Sequence, residues 1–307
     1  MLMNGNSRSA IIAGNGPSLS KIDYKRMPKD FDVFRTNQFY FEKKYYLGNK
    51  IKYAFANPGL FLEQYYTLNV LKNKNEYNID NIFCATFNLD HMVNKIFIDK
   101  FSDYFPGAML AYDLIRNLHK FHEFIKFNEI YNDRRITSGI YMCAIAIALN
   151  YKELYLTGID FYDEALQEYA FESKKQNIIN LAPAFNTKNS KYNKHSRDMD
   201  LEALDFLQKN YDVKIYSLNP DSILSQHIDI APNIDNIFIL SEKPKGFIDD
   251  ILIPNFSAYH YTEIAKIRQD KNGRIFSNFY YKLIRDFVKL PSDIKHYLKE
   301  KHANKNR

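Results

Sequence analysis

The chain contains no tryptophan and only two cysteines. Cys84 and Cys143 stand in "NIFCATF" and "IYMCAIAIAL", apolar surroundings in which a thiol behaves as a small buried hydrophobe. This excludes a disulfide framework and leads us to expect a reducing compartment. No uninterrupted apolar run approaches the roughly 20 residues that a membrane-spanning helix needs. The opening "MLMNGNSRSA" also lacks the basic-then-apolar layout of a signal peptide. A cytoplasmic protein with a short disordered leader, residues 1–10, is therefore expected. The 24 tyrosines and 24 phenylalanines, with abundant Lys, Asn and Ile, are read as the imprint of an AT-rich genome rather than as chemistry.

A third glycine is missing as well, and its absence narrows the ligand. In "IIAGNGPSL", Ile11 to Leu19, a short apolar run of the kind that makes a buried parallel strand meets Gly14-Asn15-Gly16. A strand ending in such a turn commonly presents backbone N–H groups to a phosphate or nucleotide. The dinucleotide fingerprint G-x-G-x-x-G needs another glycine where Leu19 stands. A nucleotide is expected here, and NAD is not the first choice.

Further candidate strands, "DVFRTN", "YAFANP", "NIFCATF", "ELYLTGID" and "VKIYSLNP", alternate with helical or loop segments. That alternation predicts an α/β fold, a Rossmann-like, mostly parallel sheet with helices on both faces. Ligands of such sheets lie beyond the carboxyl ends of the strands, where this chain places Asn15, Asn37, Asn57 and Asp160. A buried helix is expected over Ile136–Tyr151, capped by Thr137 or Ser138, with Arg134 and Arg135 just before it. Residues Asn186 to Arg197, "NTKNSKYNKHSR", have little to bury and are long enough for a lid. Charge divides unevenly: residues 256–307 hold twelve Lys and Arg against five Asp and Glu, a net +7, while the rest carries −1. In the tail, Phe279, Leu283 and Phe287 can share a helical face flanked by Lys282, Arg285 and Lys289, with Pro291 expected to end one helix before a second.

Taken together, "IIAGNGPSL", "FDVFRTNQFYFEKKYYLG", "RITSGIYMCAIAIAL", "LTGIDFY" and an "HS" after a tyrosine-containing loop resemble, in the same order, the bacterial sialyltransferases of glycosyltransferase family 42. The resemblance runs from about Ile11 to Pro254. It implies a single-domain GT-A-like variant of the Rossmann arrangement over residues 11–255, with a small lid at about 163–195 and a basic amphipathic tail at 256–307. It also implies inverting, metal-independent transfer of sialic acid from CMP-sialic acid to a terminal galactose or sialic acid of lipooligosaccharide, without a cofactor and often as a tetramer. By motif position, Asn15 with Gly16 and Asn37 with Gln38 correspond to CMP contacts, and Asn57 and Ser138 to donor groups including the sialic acid. Arg135 matches an essential arginine. Tyr162 and Tyr169 match the pair that hydrogen-bonds the leaving phosphate, although "DEALQEYAF" is one residue longer than the family spacing. Tyr192 matches a lid tyrosine and His195 the catalytic base. Gly158 and Asp160 lie in the matching "LTGIDFY" block.

The chemistry fits those residue types. Displacing CMP requires a base for the incoming hydroxyl and stabilisation of the departing phosphate. An imidazole, with a pKa of about 6.5, suits the first task, and tyrosine hydroxyls suit the second. The Asp-x-Asp pair in "DMD", Asp198 to Asp200, could instead hold a metal, but Asp198 is better read as loading the positive end of the helix that follows. Arg134 and Arg135 could hold the donor's anionic groups. Asp160 could accept from the cytosine amino group or serve as an N-cap. The tail is read as docking on anionic lipid, at the inner membrane's cytoplasmic face, and no nucleic-acid partner is expected. A non-catalytic nucleotide-sugar-binding or membrane-surface scaffold is the second reading. An assay for release of CMP separates the two.

Overall fold

The computed structural model describes residues 9–85, 99–161, 169–171, 195–247, 251 and 278–305. Its strands are β1 (Ser9–Ala13), β2 (Asp32–Thr36), β3 (Lys44–Tyr45), β4 (Lys50–Ala56), β5 (Asn78–Cys84), β6 (Ala108–Leu110), β7 (Glu153–Thr157), β8 (Lys214–Ser217), β9 (Asp229–Ile230) and β10 (Ser241–Glu242). Eight form one sheet in the order β6-β5-β4-β2-β1-β7-β8-β9, with parallel pairing throughout. β3 and β10 make a separate antiparallel pair, with Tyr45 opposite Ser241.

A parallel sheet has both faces covered, so its inner strands are apolar on both sides. β1, "SAIIA", is buried from end to end. Because successive side chains alternate between faces, Ala10 and Ile12 join one core while Ile11 and Ala13 join the other. The first core is closed by α3 (Tyr112–Ile115), α4 (His119–Tyr131), α5 (Ser138–Ala148) and α6 (Arg197–Asn210). The second is closed by α1 (Phe61–Asn73) and α2 (Phe101–Tyr104). Each large apolar side chain taken into these cores contributes about 1.5–3 kcal/mol. Both cysteines are free and buried, and burial pushes the Cys84 thiol well above its ordinary pKa.

Three boundaries differ from the sequence reading. β1 starts at Ser9, inside the expected leader, because Ser9 pairs with Glu153 and donates its hydroxyl to that carboxylate. The buried helix spans Ser138–Ala148 rather than 136–151, because Thr137 stays extended (φ −77°, ψ 167°) with its amide and hydroxyl both bonded to Asp200. At its other end, Asn150 takes a left-handed φ of 68°, a conformation asparagine tolerates. The third difference is in the tail, where α7 (Phe279–Lys305) continues through Pro291 as one helix. Proline's φ of about −65° is already helical, so the chain can continue, losing the bond its missing N–H would have made.

The chain forms two compact units, Met1–Ile178 with Asn189–Ile253, and Ile179–Lys188 with Pro254–Arg307. In the second, Phe279, Leu283 and Phe287 of α7 are exposed. No helix among the described residues is long and apolar enough to cross a membrane.

The first unit buries a charge pair beside the strand ends. Arg35 on β2 and Glu42 are both fully buried, with Nη1 and Oε2 2.9 Å apart. Tyr77 donates its hydroxyl to the other carboxylate oxygen at 3.0 Å. Removing one partner of such a pair leaves an uncompensated buried charge. Glu42→Gln is therefore expected to cost about 3–5 kcal/mol in urea denaturation of the full chain, and an unchanged midpoint would refute the pair's role.

Candidate active site

Strand order reverses at β1: the chain runs outward from it through β2, β4, β5 and β6, then returns to its other side with β7. The loops leaving β1 and β7 therefore meet at the sheet's switch point, where doubly wound folds bind ligands. Their contact leaves no room for side chains. A Cβ at Gly14 would lie 2.1 Å from the Gly158 carbonyl oxygen, and one at Gly158 would lie 2.5 Å from that of Gly14. Gly158 also has a φ of +65°, which L side chains resist. Gly16 is equally constrained, because a Cβ there would strike Asp160 Oδ2 at 2.2 Å.

Hydrogen bonds join this pair of loops to the others around it. Gly14 N and Gly16 N donate to the carbonyls of Thr157 and Gly158, each at 2.9 Å. Asp160 Oδ2 accepts from Ser18 N and Ser18 Oγ, both at 3.0 Å, in the turn Pro17–Lys21 that follows β1. Asn219, after β8, donates to the Ser18 and Lys21 carbonyls. Asn15 donates to the Thr36 carbonyl at 2.9 Å. Asn37, at φ 52°, accepts from Asn57 N at 3.1 Å.

Among the described residues, some polar atoms at this edge are buried without a hydrogen-bond partner. Asn15 spends its amide on Thr36, and its Oδ1 has no donor among them. Gln38 is 2% exposed and its Oε1 is equally unmatched. Gln64, in the first turn of α1 beyond β4, is completely buried with neither amide atom bonded. Buried polar groups are normally paired, and leaving one unpaired costs about 1–3 kcal/mol. The sequence reading included Asn15 and Gln38 but missed Gln64, since a glutamine inside "FLEQYYTL" gives no signal before its burial is known. Asn219 was missed similarly, although it ends a strand as Asn15 and Asn57 do.

The N-terminus of α5 adjoins these loops, because a Cβ at Gly139 would lie 2.8 Å from Ile159. Ser138 opens the helix. Just before it, Arg135 forms a parallel β-bridge with His195, and His195 Nδ1 lies 3.2 Å from the Arg135 carbonyl oxygen. A carbonyl only accepts, so Nδ1 carries the proton and Nε2 keeps its lone pair in the neutral ring. Burial lowers the His195 pKa below the usual 6.5, against the raising effect of the Arg135 backbone hydrogen bond. The ring is thus neutral at neutral pH.

The arginines serve different purposes. Arg134 forms a two-pronged pair with Glu202 at 3.1 and 2.9 Å, so its expected role as an anion holder gives way to an ion pair. Arg135 Nε lies 3.1 Å from Glu129, which fixes the residue whose carbonyl holds His195. The aspartates of "DMD" also part company. Asp198 is exposed in the first turn of α6, favourable for the helix dipole, while Ser196 is the N-cap and accepts from Met199 N. Asp200 is fully buried against Thr137.

Of the expected lid, Tyr162 and Tyr192 lie outside the described residues, as does most of 163–195. Tyr169 is described: it stacks on Phe171 at 5.1 Å, Phe171 packs on Phe41, and Ala170 N donates to the Asn15 carbonyl at 2.8 Å. That bond brings the segment carrying Tyr169 against the β1 loop.

A doubly wound parallel sheet with polar loops converging at its switch point defines the class of α/β nucleotide-dependent enzymes. Residues 8–301 match the CST-I alpha-2,3-sialyltransferase family, and the chain belongs to that family. It is therefore a glycosyltransferase. Its fold is similar to monofunctional alpha-2,3-sialyltransferase Cst-I from Campylobacter jejuni, with a TM-score of 0.78 and 48% identity, covering 88% of this chain and 95% of that one. It is similar to the sialyltransferase CstII from Campylobacter jejuni in complex with the substrate analogue CMP-3FNeuAc, with a TM-score of 0.76 and 53% identity, covering 82% and 96%. A further CST-II structure, in complex with trisaccharide acceptor and CMP, has a TM-score of 0.72 and 52% identity, covering 82% and 97%.

Burial raises the Asp200 pKa from 3.8 to about 7, opposed by the two bonds from Thr137. A carboxyl whose folded pKa exceeds its unfolded value contributes stability below the unfolded value and loses it as pH rises through the folded one. Asp200→Asn, which does not titrate, is therefore expected to gain stability relative to wild type between about pH 4 and pH 7. Melting curves across that range test this, and a difference that stays constant with pH would refute it.

Proposed function

We propose that the chain transfers sialic acid from CMP-sialic acid to a terminal galactose, or sialic acid, of lipooligosaccharide, by one inverting displacement that uses no metal ion. The observation that carries this reading is the contact of His195 Nδ1 with the Arg135 carbonyl, which leaves Nε2 unprotonated beside the N-terminus of α5. Nε2 takes the proton of the acceptor hydroxyl as its oxygen bonds to the anomeric carbon. The bond from that carbon to the phosphate oxygen breaks, and its electron pair leaves with CMP. Attack opposite the leaving group inverts the centre in one step.

The unmatched acceptors of Asn15 and Gln38 support placing the CMP portion against the β1 and β2 loops, with Gly16 allowing close approach. Ser138 and Asn57, with the buried amide of Gln64, are then assigned to the sialic acid. Tyr169, on a segment bonded to the Asn15 backbone, is suited to donate to the departing phosphate together with Tyr162. Tyr192 would close over the donor, and Arg135 adds positive charge. Stabilising the leaving group in this way leaves no task for an Asp-x-Asp metal site. Neighbouring positions on a helix diverge, and both oxygens of Asp200 are occupied by Thr137.

The incubation that tests the reading contains CMP-sialic acid and a lactoside. Release of CMP with formation of sialyllactoside supports it, and failure of both leaves the scaffold reading. His195→Ala is expected to lower turnover by about 10²- to 10⁴-fold with CMP affinity nearly unchanged. The acid limb of the wild-type pH profile is expected below pH 6.5, because burial holds His195 deprotonated further into acid. Complete, metal-reversible loss of activity in EDTA would return the assignment to a metal.

The tail extends the proposal to location. The net +7 of residues 256–307 and the exposed Phe279, Leu283 and Phe287 of α7 fit a peripheral helix on anionic lipid at the cytoplasmic face of the inner membrane, with the catalytic unit as a homo-oligomer. Each Lys or Arg near such a surface contributes about 1 kcal/mol. A chain ending near Asn255 is expected to keep activity on a soluble lactoside but to stop sedimenting with anionic vesicles, as the full chain does at low salt. Equal sedimentation of the two would refute the tail's role.

A further inference from the structure

We propose that Asp200 is a positioning residue for His195: through Thr137 it fixes the short segment whose Arg135 carbonyl holds the imidazole. The inference rests on the base role given to His195 above. Besides the Arg134–Glu202 ion pair, two contacts tie residues 135–137, just before α5, to the segment that opens α6. The first is the Arg135–His195 bridge. The second, two residues further along one segment and five along the other, is the Asp200 carboxylate, which accepts from Thr137 N at 2.8 Å and Thr137 Oγ at 2.7 Å. The bridge and the arginine ion pairs act at the Arg134–Arg135 end of the extended segment. The Asp200 bonds hold its Thr137 end, and with both ends held the direction of the carbonyl that selects the imidazole tautomer is fixed.

The construction is costly enough to call for a reason. Thr137 occupies the N-cap position of α5, where a threonine hydroxyl ordinarily accepts from an N–H of the first turn. Here it makes no such cap and donates to Asp200 instead. The helix gives up a local cap, and α6 buries a carboxylate completely. Desolvation raises its pKa and the two Thr137 bonds oppose the rise. Among the described residues, Cys143 also feels the carboxylate, its thiol pushed up by its own burial first and by Asp200 second. A charge-bearing group kept where a neutral one would pack more cheaply marks a site that favours geometry over stability.

The experiment uses the full chain carrying Asp200→Ala, Asp200→Asn or Thr137→Val, assayed with CMP-sialic acid and a lactoside, with CMP affinity read by calorimetry. Asp200→Ala is expected to lower kcat by on the order of 10- to 10²-fold, with donor KM and CMP affinity within about twofold. Asp200→Asn can still accept from Thr137 N with Oδ1 and donate to Thr137 Oγ with Nδ2, and is expected to restore most of kcat. NMR of the histidine ring nitrogens gives a reading free of turnover: wild-type His195 should carry its proton on Nδ1, and Asp200→Ala should show a mixture of tautomers. Wild-type kcat with an unmixed tautomer in Asp200→Ala would overturn the proposal. If that variant does not fold, Thr137→Val, which keeps the amide and loses the hydroxyl, decides by the same two measurements. A wild-type chain that transfers no sialic acid would sink the transferase reading instead, and the tautomers would still decide whether Asp200 positions the ring.

Discussion

Everything at the active edge depends on the closeness of Gly14 to Gly158. At that distance neither residue tolerates a Cβ, and the two backbones run together as they leave β1 and β7. The contact brings Asp160 to Ser18, the second residue of the turn Pro17–Lys21, and brings Ile159 against Gly139 at the mouth of α5. Three segments far apart in sequence acquire a fixed relation from one steric fact. The cost is the backbone entropy of two glycines in the unfolded chain. The gain is a row of peptide groups that a ligand can approach closely.

Polar side chains around that contact divide into those that hold the loops and those left for a ligand. Ser18 bonds to Asp160, Asn37 accepts from the Asn57 amide, and Asn219 donates to the Ser18 and Lys21 carbonyls. Among the described residues, Asn15, Gln38 and Asn219 each keep a buried oxygen without a hydrogen-bond partner. A protein of this size could satisfy those atoms with a serine or a shifted backbone amide. Leaving them open destabilises the fold by about 1–3 kcal/mol for each atom and favours whatever supplies a donor there.

The sheet was legible in the sequence because parallel strands buried on both faces read as apolar runs, and "DVFRTN", "YAFANP" and "ELYLTGID" each contain the end of a strand and run one to three residues past it. β6 and β9 were not legible: two or three residues at the sheet's edge carry too little pattern. Asn15, Asn37, Asn57 and Asp160 could be picked out because each polar residue directly follows an apolar run. Gln64 and Asp200 could not, since both lie within helical stretches where polar residues normally face solvent, and only burial distinguishes them. The surroundings of Asp160 were hidden for a related reason. Sequence shows that a carboxylate closes a strand, but not that Ser18, more than a hundred residues earlier, will bond to one of its oxygens.

The nucleotide end and the base are therefore supported differently. The loops after β1, β2, β4 and β7 are bonded to one another on several sides and to the sheet behind them, so they form one rigid surface. Among the described residues, His195 meets the segment before α5 through its bridge to Arg135 and the contact of Nδ1 with that residue's carbonyl. Under the proposed assignment, a donor site on the bonded loops and a base held by that segment would separate affinity from turnover, since a rotation of residues 135–137 would redirect Nε2 while leaving the loops in place. Selection for rate would then act on the few groups that hold that segment, Glu129 through Arg135 and Asp200 through Thr137, more strongly than on the larger set that holds the loops.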